Sequence, residues 1–279
     1  MKLLIVDGLN LLFQMFFGMP ARIIGKNGQA IHGTLGFVGA LIKMIKLARP
    51  SHVVVLFDGE HENPRTELLG EYKANRPSFA GVPEAECPFS QLDDIYKALD
   101  NMGIRHIEIA DGEADDAIAS YALSYGDQAK CVIASHDSDF YQLINENVIV
   151  LRYRGKNTVI CDEAFIQNKL GISPVQYADF KALTGDCSDN IRGAEHIGPK
   201  TAAALLRQFG DLQMIIQRAD EIARPSIRAS VQRNAECLHR NYRLIKLSNT
   251  AAIPFALHEL KYCDSSVTTF DVLERIGLK

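Results

Sequence analysis

Nine carboxylates stand where a folded chain can gather them: Asp7, Asp58, Glu113, Asp115, Asp116, Asp137, Asp139, Asp186 and Asp189. Three of them follow short apolar runs. Leu3-Leu4-Ile5-Val6 leads to Asp7, Val53-Val54-Val55-Leu56-Phe57 to Asp58, and Cys131-Val132-Ile133-Ala134 to Asp137. Glu113-Ala114-Asp115-Asp116 opens an apolar segment, and Glu113 and Asp116, three residues apart, share a helix face. Asp139 lies two beyond Asp137, on the same side of an extended backbone. Asp186 and Asp189 frame Gly185-Asp186-Cys187-Ser188-Asp189-Asn190. Taken singly, each acid reads as a solvated or helix-capping residue. Capping and the helix dipole account for one or two acids at residues 113–116, but not for three in four residues without a cation. So many carboxylates cannot stay ionised in one pocket unless cations offset their repulsion. An all-oxygen set suits Mg²⁺ or Mn²⁺ rather than zinc. Two such ions activate water and stabilise the leaving oxygen of phosphoryl transfer, so the residues point to a metal-dependent phosphodiesterase or phosphatase.

The elements that would position these acids follow from the same runs. Continuous β-branched stretches without polar alternation predict parallel strands buried on both faces. Residues 34–48, 89–102 and 115–125 are amphipathic and predict intervening helices, hence an α/β fold with a central, mostly parallel sheet flanked by helices. Ligands of such sheets bind beyond the carboxyl ends of the strands, where Asp7, Asp58 and Asp137 converge. A β-hairpin is expected over residues 147–161, around the Arg154-Gly155-Lys156-Asn157 turn.

Length and composition bound the alternatives. The 279 residues suffice for one large α/β domain with a smaller appendage, and 47% hydrophobic with 23% charged residues excludes a disordered or collagenous chain. No apolar stretch reaches the roughly 18 residues of a membrane helix. Asp7, Asn10 and Gln14 interrupt the opening apolar run, which reads as a buried strand rather than a signal peptide. Six widely spaced cysteines form no CxxC pair, so neither a zinc nor a thioredoxin site is indicated and the cytoplasm is the expected compartment. The net charge of −4 conceals a division: residues 1–191 carry 17 basic and 25 acidic side chains, residues 192–246 carry 10 and 5, and the remainder 3 and 4. An acidic body followed by a basic segment suggests separate metal-binding and phosphate-binding tasks.

The basic segment opens with Gly193-Ala194-Glu195-His196-Ile197-Gly198-Pro199-Lys200-Thr201-Ala202. A glycine-bearing turn with Pro199 at the head of a helix over 201–209 offers backbone N–H groups to an anion, beside the Lys200 charge; an ordinary loop entering a helix accounts for the spacing equally well. A phosphate contact of this kind positions a duplex without reading its sequence.

With these motifs in order, the chain resembles the 5′ nucleases: the amino-terminal domain of bacterial DNA polymerase I, its stand-alone bacterial relatives and the phage flap endonucleases. The resemblance rests on Ile5-Val6-Asp7-Gly8, Phe57-Asp58, Tyr72-Lys73-Ala74-Asn75-Arg76, Glu113-Ala114-Asp115-Asp116, Asp137-Ser138-Asp139 with Gln142-Leu143, Ala182-Leu183-Thr184-Gly185-Asp186-Cys187-Ser188-Asp189-Asn190 and Ile197-Gly198-Pro199-Lys200-Thr201-Ala202. The motifs run in family order and cover nearly the whole chain, and no polymerase domain is expected to follow. The resemblance implies a PIN-like nuclease core over residues 1–177 with a helical arch at about 60–88. It also implies a helix-hairpin-helix-like region over 178–279 that lends Asp186 and Asp189 to the active site. It implies a first metal site at Asp58, Glu113, Asp115 and Asp116, with Asp7 acting through water, and a second at Asp137, Asp139, Asp186 and Asp189. Two or more Mg²⁺ ions are expected, with Mn²⁺ able to substitute. Lys73 and Arg76 are expected on the scissile phosphate and Tyr72 against a base. Arg65 is a weaker phosphate ligand, since Glu60, Glu62, Glu67 and Glu71 outnumber the three basic residues of 60–80. Gly198, Lys200 and Thr201 are expected on the duplex, and the carbonyls of Leu183, Thr184, Arg192, Ala194 and Ile197 around a K⁺. The implied activity is structure-selective, metal-dependent cleavage at 5′ ends and flaps of branched DNA, or of RNA–DNA primers, by a monomer in replication and repair.

The chain departs from the family at three places. His196 stands where the hairpin Pro-Gly-Val-x-Gly-Ile-Gly has a glycine, Ser138 replaces a common Lys or Arg, and Gln14 stands in the place of a phosphate-binding Arg. A histidine adopts positive φ less readily than glycine, while Arg192 offers a compensating phosphate contact. Losing two positive charges implies weaker binding and a shallower salt dependence. A PIN-type ribonuclease would be about half as long, a haloacid-dehalogenase-type phosphatase would want a second acid after Asp7-Gly8, and a non-catalytic junction binder would not need the intact acid set.

Overall fold

The computed structural model describes residues 1–26, 28–59, 64–264 and 266–279. Six strands form the main sheet: β1 (Lys2–Asp7), β2 (His52–Asp58), β3 (Arg105–Ile109), β4 (Lys130–Ala134), β5 (Val148–Arg152) and β6 (Val159–Cys161). Their order is β3-β2-β1-β4-β5-β6; all neighbours are parallel except the β5–β6 hairpin. The apolar runs of β1, β2 and β4 occupy the centre, because only a strand covered on both faces can be apolar at every position. Leu3, Ile5, Val54 and Leu56 enter one core, while Leu4, Val6, Val53 and Val55 enter the other. That alternation fixes the register, since a slip by one residue would exchange the two faces.

Helices α1 (Gly8–Gly18), α2 (His32–Ala48) and α3 (Leu92–Asn101) cover one face, and α4 (Ala114–Tyr125) covers the other. The core beneath α4 continues into a helical region: α5 (Glu163–Leu170), α6 (Tyr177–Thr184), α7 (Pro199–Phe209), α8 (Leu212–Gln217), α9 (Pro225–Arg233) and α10 (Ala235–Ile245). The last helix, α11 (Thr269–Arg275), returns against α2 and α3. A two-stranded ribbon, β7 (Gly185–Asp186) with β8 (Ile191–Arg192), joins α6 to α7.

The stretch expected as a helical arch differs from that expectation. Residues 60–63 lie outside the described residues. Over 64–88 the chain forms turns and two short 3₁₀ segments, Pro64–Glu67 and Glu84–Glu86, instead of α-helix. Pro64, Pro77, Pro83 and Pro88, with Gly70 and Gly81, leave no run long enough to repay helix nucleation. Among the described residues, no helix is long and apolar enough to cross a membrane.

Candidate active site

The carboxyl ends of β1, β2 and β4 meet at one rim, and the acids there serve two purposes. Asp7 ends β1 and caps α1, accepting from the Asn10 backbone at 3.1 Å, while its second oxygen accepts from Ser135 Oγ at 2.8 Å. Asp58 ends β2 and accepts from the Ala114 backbone at 2.6 Å, which holds the amino end of α4 against the strand. Glu113 precedes α4 without using its side chain as a cap. Asp115, on the first turn, is half-buried and is repelled by Asp137, Asp58 and Asp7. Capping therefore explains Asp7 and Asp58, but not Glu113 or Asp115.

The second group is tighter. Asp139, Asp186 and Asp189 each offer an oxygen within 4.8 Å of the others, and all three are buried. Asp186 sits on the β7–β8 ribbon, where the backbone passes extremely close to itself. A Cβ on Gly185 would meet the Gly193 nitrogen at 2.4 Å, and one on Gly193 would meet the Thr184 carbonyl carbon at 2.3 Å. Two glycines are thus required for the ribbon to fold back and bring Asp189 beside Asp186. Asp186 Oδ1 accepts from the Ser188 backbone at 2.9 Å and its hydroxyl at 2.6 Å, and Oδ2 pairs with Lys181 at 2.6 Å.

Burial and mutual repulsion show in the protonation of the site. Desolvation, followed by the Asp58 and Asp137 charges, outweighs the Ser135 and Asn10 hydrogen bonds and raises Asp7 to about 7. Asp115 and Asp139 are pushed well above the ordinary carboxylate range by burial and then by Asp137, and Asp137 is raised by burial as well. Asp186 goes the other way: burial opposes its charge, but Lys181 and Ser188 together lower its pKa. Asp139 Oδ1 is buried without a hydrogen-bond partner among the described residues. An unsatisfied buried oxygen in a set of repelling carboxylates is the environment a divalent cation would complete, and the all-oxygen donors fit a hard ion.

Basic side chains from the 64–76 stretch are folded onto these acids. Arg65 pairs with Glu113 and, at 2.8 Å, with Asp116; Lys73 pairs with Glu113; Arg76 pairs with Asp189 at 2.9 Å. Arg65 is therefore not a solvated surface residue. Asp116 is also turned toward the chain, accepting from the Ser248 backbone at 2.7 Å. The turn itself is docked on the Asp186–Asn190 loop: Lys73 N donates to the Asp189 carbonyl at 3.1 Å, Asn75 to the Cys187 carbonyl at 2.8 Å, and Asn190 to the Glu71 carbonyl at 2.9 Å. Lys73 holds φ at 55° to do this. Tyr72 is only 5% exposed and donates to Asp189 at 3.3 Å. The expected stacking of Tyr72 on a base does not fit this arrangement, because its ring is spent in the core.

The duplex-binding residues expected at 198–201 are brought together at the amino end of α7. Gly198 has no side-chain cap, Pro199 follows it, and Lys200 is exposed beside the free backbone N–H groups. His196 adopts φ of 65°, so the hairpin does require the left-handed conformation there. Of the five carbonyls named for K⁺, those of Leu183, Arg192 and Ala194 already accept from Ala194, Asn241 and Ile197.

Two contributors were not singled out in the sequence. Ser135 orients Asp7 and Lys181 neutralises Asp186. A polar residue at the carboxyl end of the β4 run was a usable signal for Ser135. Lys181 had none, because its helix reads as ordinary.

Residues 2–171 match the family model of the 5′-3′ exonuclease N-terminal, resolvase-like domain, and residues 172–267 match that of the 5′-3′ exonuclease C-terminal SAM fold. A 5′-3′ exonuclease of Aquifex aeolicus is 32% identical over 260 residues, spanning 93% of this chain and 86% of that protein. DNA polymerase I of Streptococcus pneumoniae is 32% identical over 274 residues, but the chain spans only 30% of its length. Among solved structures, the bacteriophage T5 D15 flap endonuclease, in a complex with DNA and metal ions, shares the fold with a TM-score of 0.72. Its identity is 24%, and the match covers 100% of both chains.

Proposed function

From the premise that this chain belongs to the 5′-3′ exonuclease family, we propose that it is a structure-selective 5′ nuclease that hydrolyses phosphodiesters at 5′ ends and flaps of branched DNA. The observation that carries this reading is the buried meeting of Asp139, Asp186 and Asp189 beside Asp137, which in turn faces Asp115, with a basic turn docked on the same loop. The T5 relative, found with DNA and metal ions, supports it.

Two Mg²⁺ ions, replaceable by Mn²⁺, are proposed: one held by Asp58, Glu113, Asp115 and Asp116 with Asp7 behind them, the other by Asp137, Asp139, Asp186 and Asp189. When bound, they would polarise water and offset the negative charge of the transition state. The chain's own residues do the rest. Ser135 and Asn10 hold Asp7 at the rim. Lys73 and Arg76, paired with Glu113 and Asp189 in the metal-free chain, are the side chains that would exchange a carboxylate for the scissile phosphate. The amino end of α7 with Lys200 and Thr201 grips the duplex by its backbone, so selectivity comes from junction shape. Residues 1–177 act as the cutting body and 178–279 as the duplex grip, where the hairpin carbonyls would hold a K⁺ that strengthens the grip. RNA–DNA primers fall within the same substrate class, and the chain works as a cytoplasmic monomer.

Cleavage of a 5′-labelled flap duplex, in Mg²⁺ and in Ca²⁺, tests this reading beside the Asp186→Asn/Asp189→Asn double variant. Cutting near the junction in Mg²⁺ alone is expected, and its loss in the variant with DNA binding retained. Binding without cutting by the unaltered protein, in both Mg²⁺ and Mn²⁺, would mean a junction-binding protein instead.

A further inference from the structure

A cavity of about 580 Å³ opens at the same rim, one strand beyond the acids, between the tip of the β5–β6 hairpin and α5. Its walls carry His136, Arg152, Arg154 and Lys169, with Val159 and Phe165 forming an apolar side. Because β5 runs parallel to β4, Arg152 and Arg154 leave the sheet in the direction in which Asp137 leaves it. A second cavity of about 380 Å³ shares His136, Arg152 and Lys169, and extends to Ser138, Lys181 and Gly185 beside the Asp139–Asp186 pair. The two together make one cation-lined groove running from the acids to the edge of the sheet.

These cations differ from those of the active site. Arg65, Lys73, Arg76 and Lys181 are each held by an acid. Among the described residues, Arg152, Arg154 and Lys169 reach no carboxylate within ion-pair distance. That is unexpected in a body with 25 acidic and 17 basic side chains over residues 1–191. Arg152 donates to Tyr141 Oη at 3.0 Å, yet its Nε is buried with no acceptor among the described residues. The Lys169 ammonium lies 5.1 Å from the Phe165 ring centre, which keeps its charge at the apolar side of the cavity. Converging cations without a carboxylate partner among the described residues, next to an aromatic wall, describe a site for a phosphate attached to a flat apolar group. The size suits a nucleotide unit.

We propose that this groove is a second nucleic-acid track, which takes a single-stranded segment of the substrate away from the acids, phosphates on Arg152, Arg154 and Lys169 and a base against Val159 and Phe165. The proposal rests on the nuclease reading above, and adds to it a strand path distinct from the Lys73–Arg76 turn and the α7 amino end. A free nucleotide shares the same chemistry; continuity with the acid cluster favours the strand.

The test is fluorescence anisotropy in EDTA, so that nothing is cut, with labelled hairpin duplexes that are blunt or carry a short single-stranded extension at either end. Arg154 and Lys169 are exposed, so Arg154→Gln/Lys169→Gln, and Arg154→Gln alone, leave the fold intact. For at least one extended DNA, the double variant should lose affinity by about tenfold and its log–log salt slope should fall by about 1.4. Binding of the blunt duplex should not change. Equal losses for blunt and extended DNA, or no loss at all, overturn the track while leaving the nuclease reading in place. Failure of the unaltered protein to bind any of the DNAs would overturn both. Competition with dAMP separates the occupants: variants that lose dAMP binding but keep full affinity for extended DNA would show a free-nucleotide site, and the track would be wrong.

Discussion

Asp139 shows in one side chain how this site trades stability for cation binding. It is buried, repelled by Asp137, and has an oxygen without a partner among the described residues. A neutral asparagine keeps the shape of the protonated acid and removes the repulsion. Asp139→Asn should therefore stabilise the metal-free protein by about 1 kcal/mol, raising Tm by ~2–4 °C. The same change should lower cleavage by about two orders of magnitude, through loss of a cation ligand. Thermal melts in EDTA beside flap cleavage in Mg²⁺ check both halves; a variant less stable than the parent would mean that the carboxylate makes contacts the structure does not account for. Lys73 strikes a similar compromise on the backbone: held at positive φ, it donates its N–H to the Asp189 carbonyl while its ammonium reaches Glu113.

Among the elements, the β7–β8 ribbon and its hairpin carry the most demanding geometry. Gly193→Ala would drive a methyl into the Thr184 backbone, which cannot yield as a flexible side chain can. A loss of roughly 3 kcal/mol is expected, with Asp186 and Asp189 displaced together and metal affinity lost. His196→Gly acts in the opposite sense. Relief of the left-handed histidine, less the added entropy of the unfolded chain, should stabilise by about 0.5 kcal/mol. Urea unfolding of the two variants separates them by sign. The requirement at His196 was legible from the hairpin motif, as were the central strands, from their unbroken apolar runs. Strand β3 was not singled out, because Arg105-His106-Ile107-Glu108-Ile109 alternates and lies at the sheet edge, where one side faces water. The helical arch at about 60–88 is implied by the family resemblance alone, and over 64–88 the prolines argue against it. The pairing of Arg65 with Glu113, 48 residues away, depends on tertiary approach and leaves no local trace.

For the molecule as a whole, concentrating acids in the sheet-bearing body makes stability depend on what neutralises them. Asp7 has its pKa raised from 3.8 to about 7, so between those values the folded protein keeps a proton that the unfolded chain has released. The stabilisation is complete below about 3.8 and disappears as pH rises through about 7. Asp115, Asp137 and Asp139 are raised too and act in the same direction. Asp186 is lowered, so its contribution is present at neutral pH and is lost only on strong acidification. The metal-free protein should accordingly lose Tm from about pH 5 to about pH 8, against the common trend in which stability holds over that range. Saturating Mn²⁺ should flatten or reverse the slope, since cations replace the protons and bind more tightly as the acids ionise. Scanning calorimetry across this range, in EDTA and in Mn²⁺, makes the comparison directly. A melting temperature that rises with pH in EDTA, or the same slope with and without metal, would show that the carboxylates are already compensated within the chain. In that case the ion pairs from Arg65, Lys73, Arg76 and Lys181 would be fixed structure, and the exchange of acid for phosphate at Lys73 and Arg76 would have no driving force.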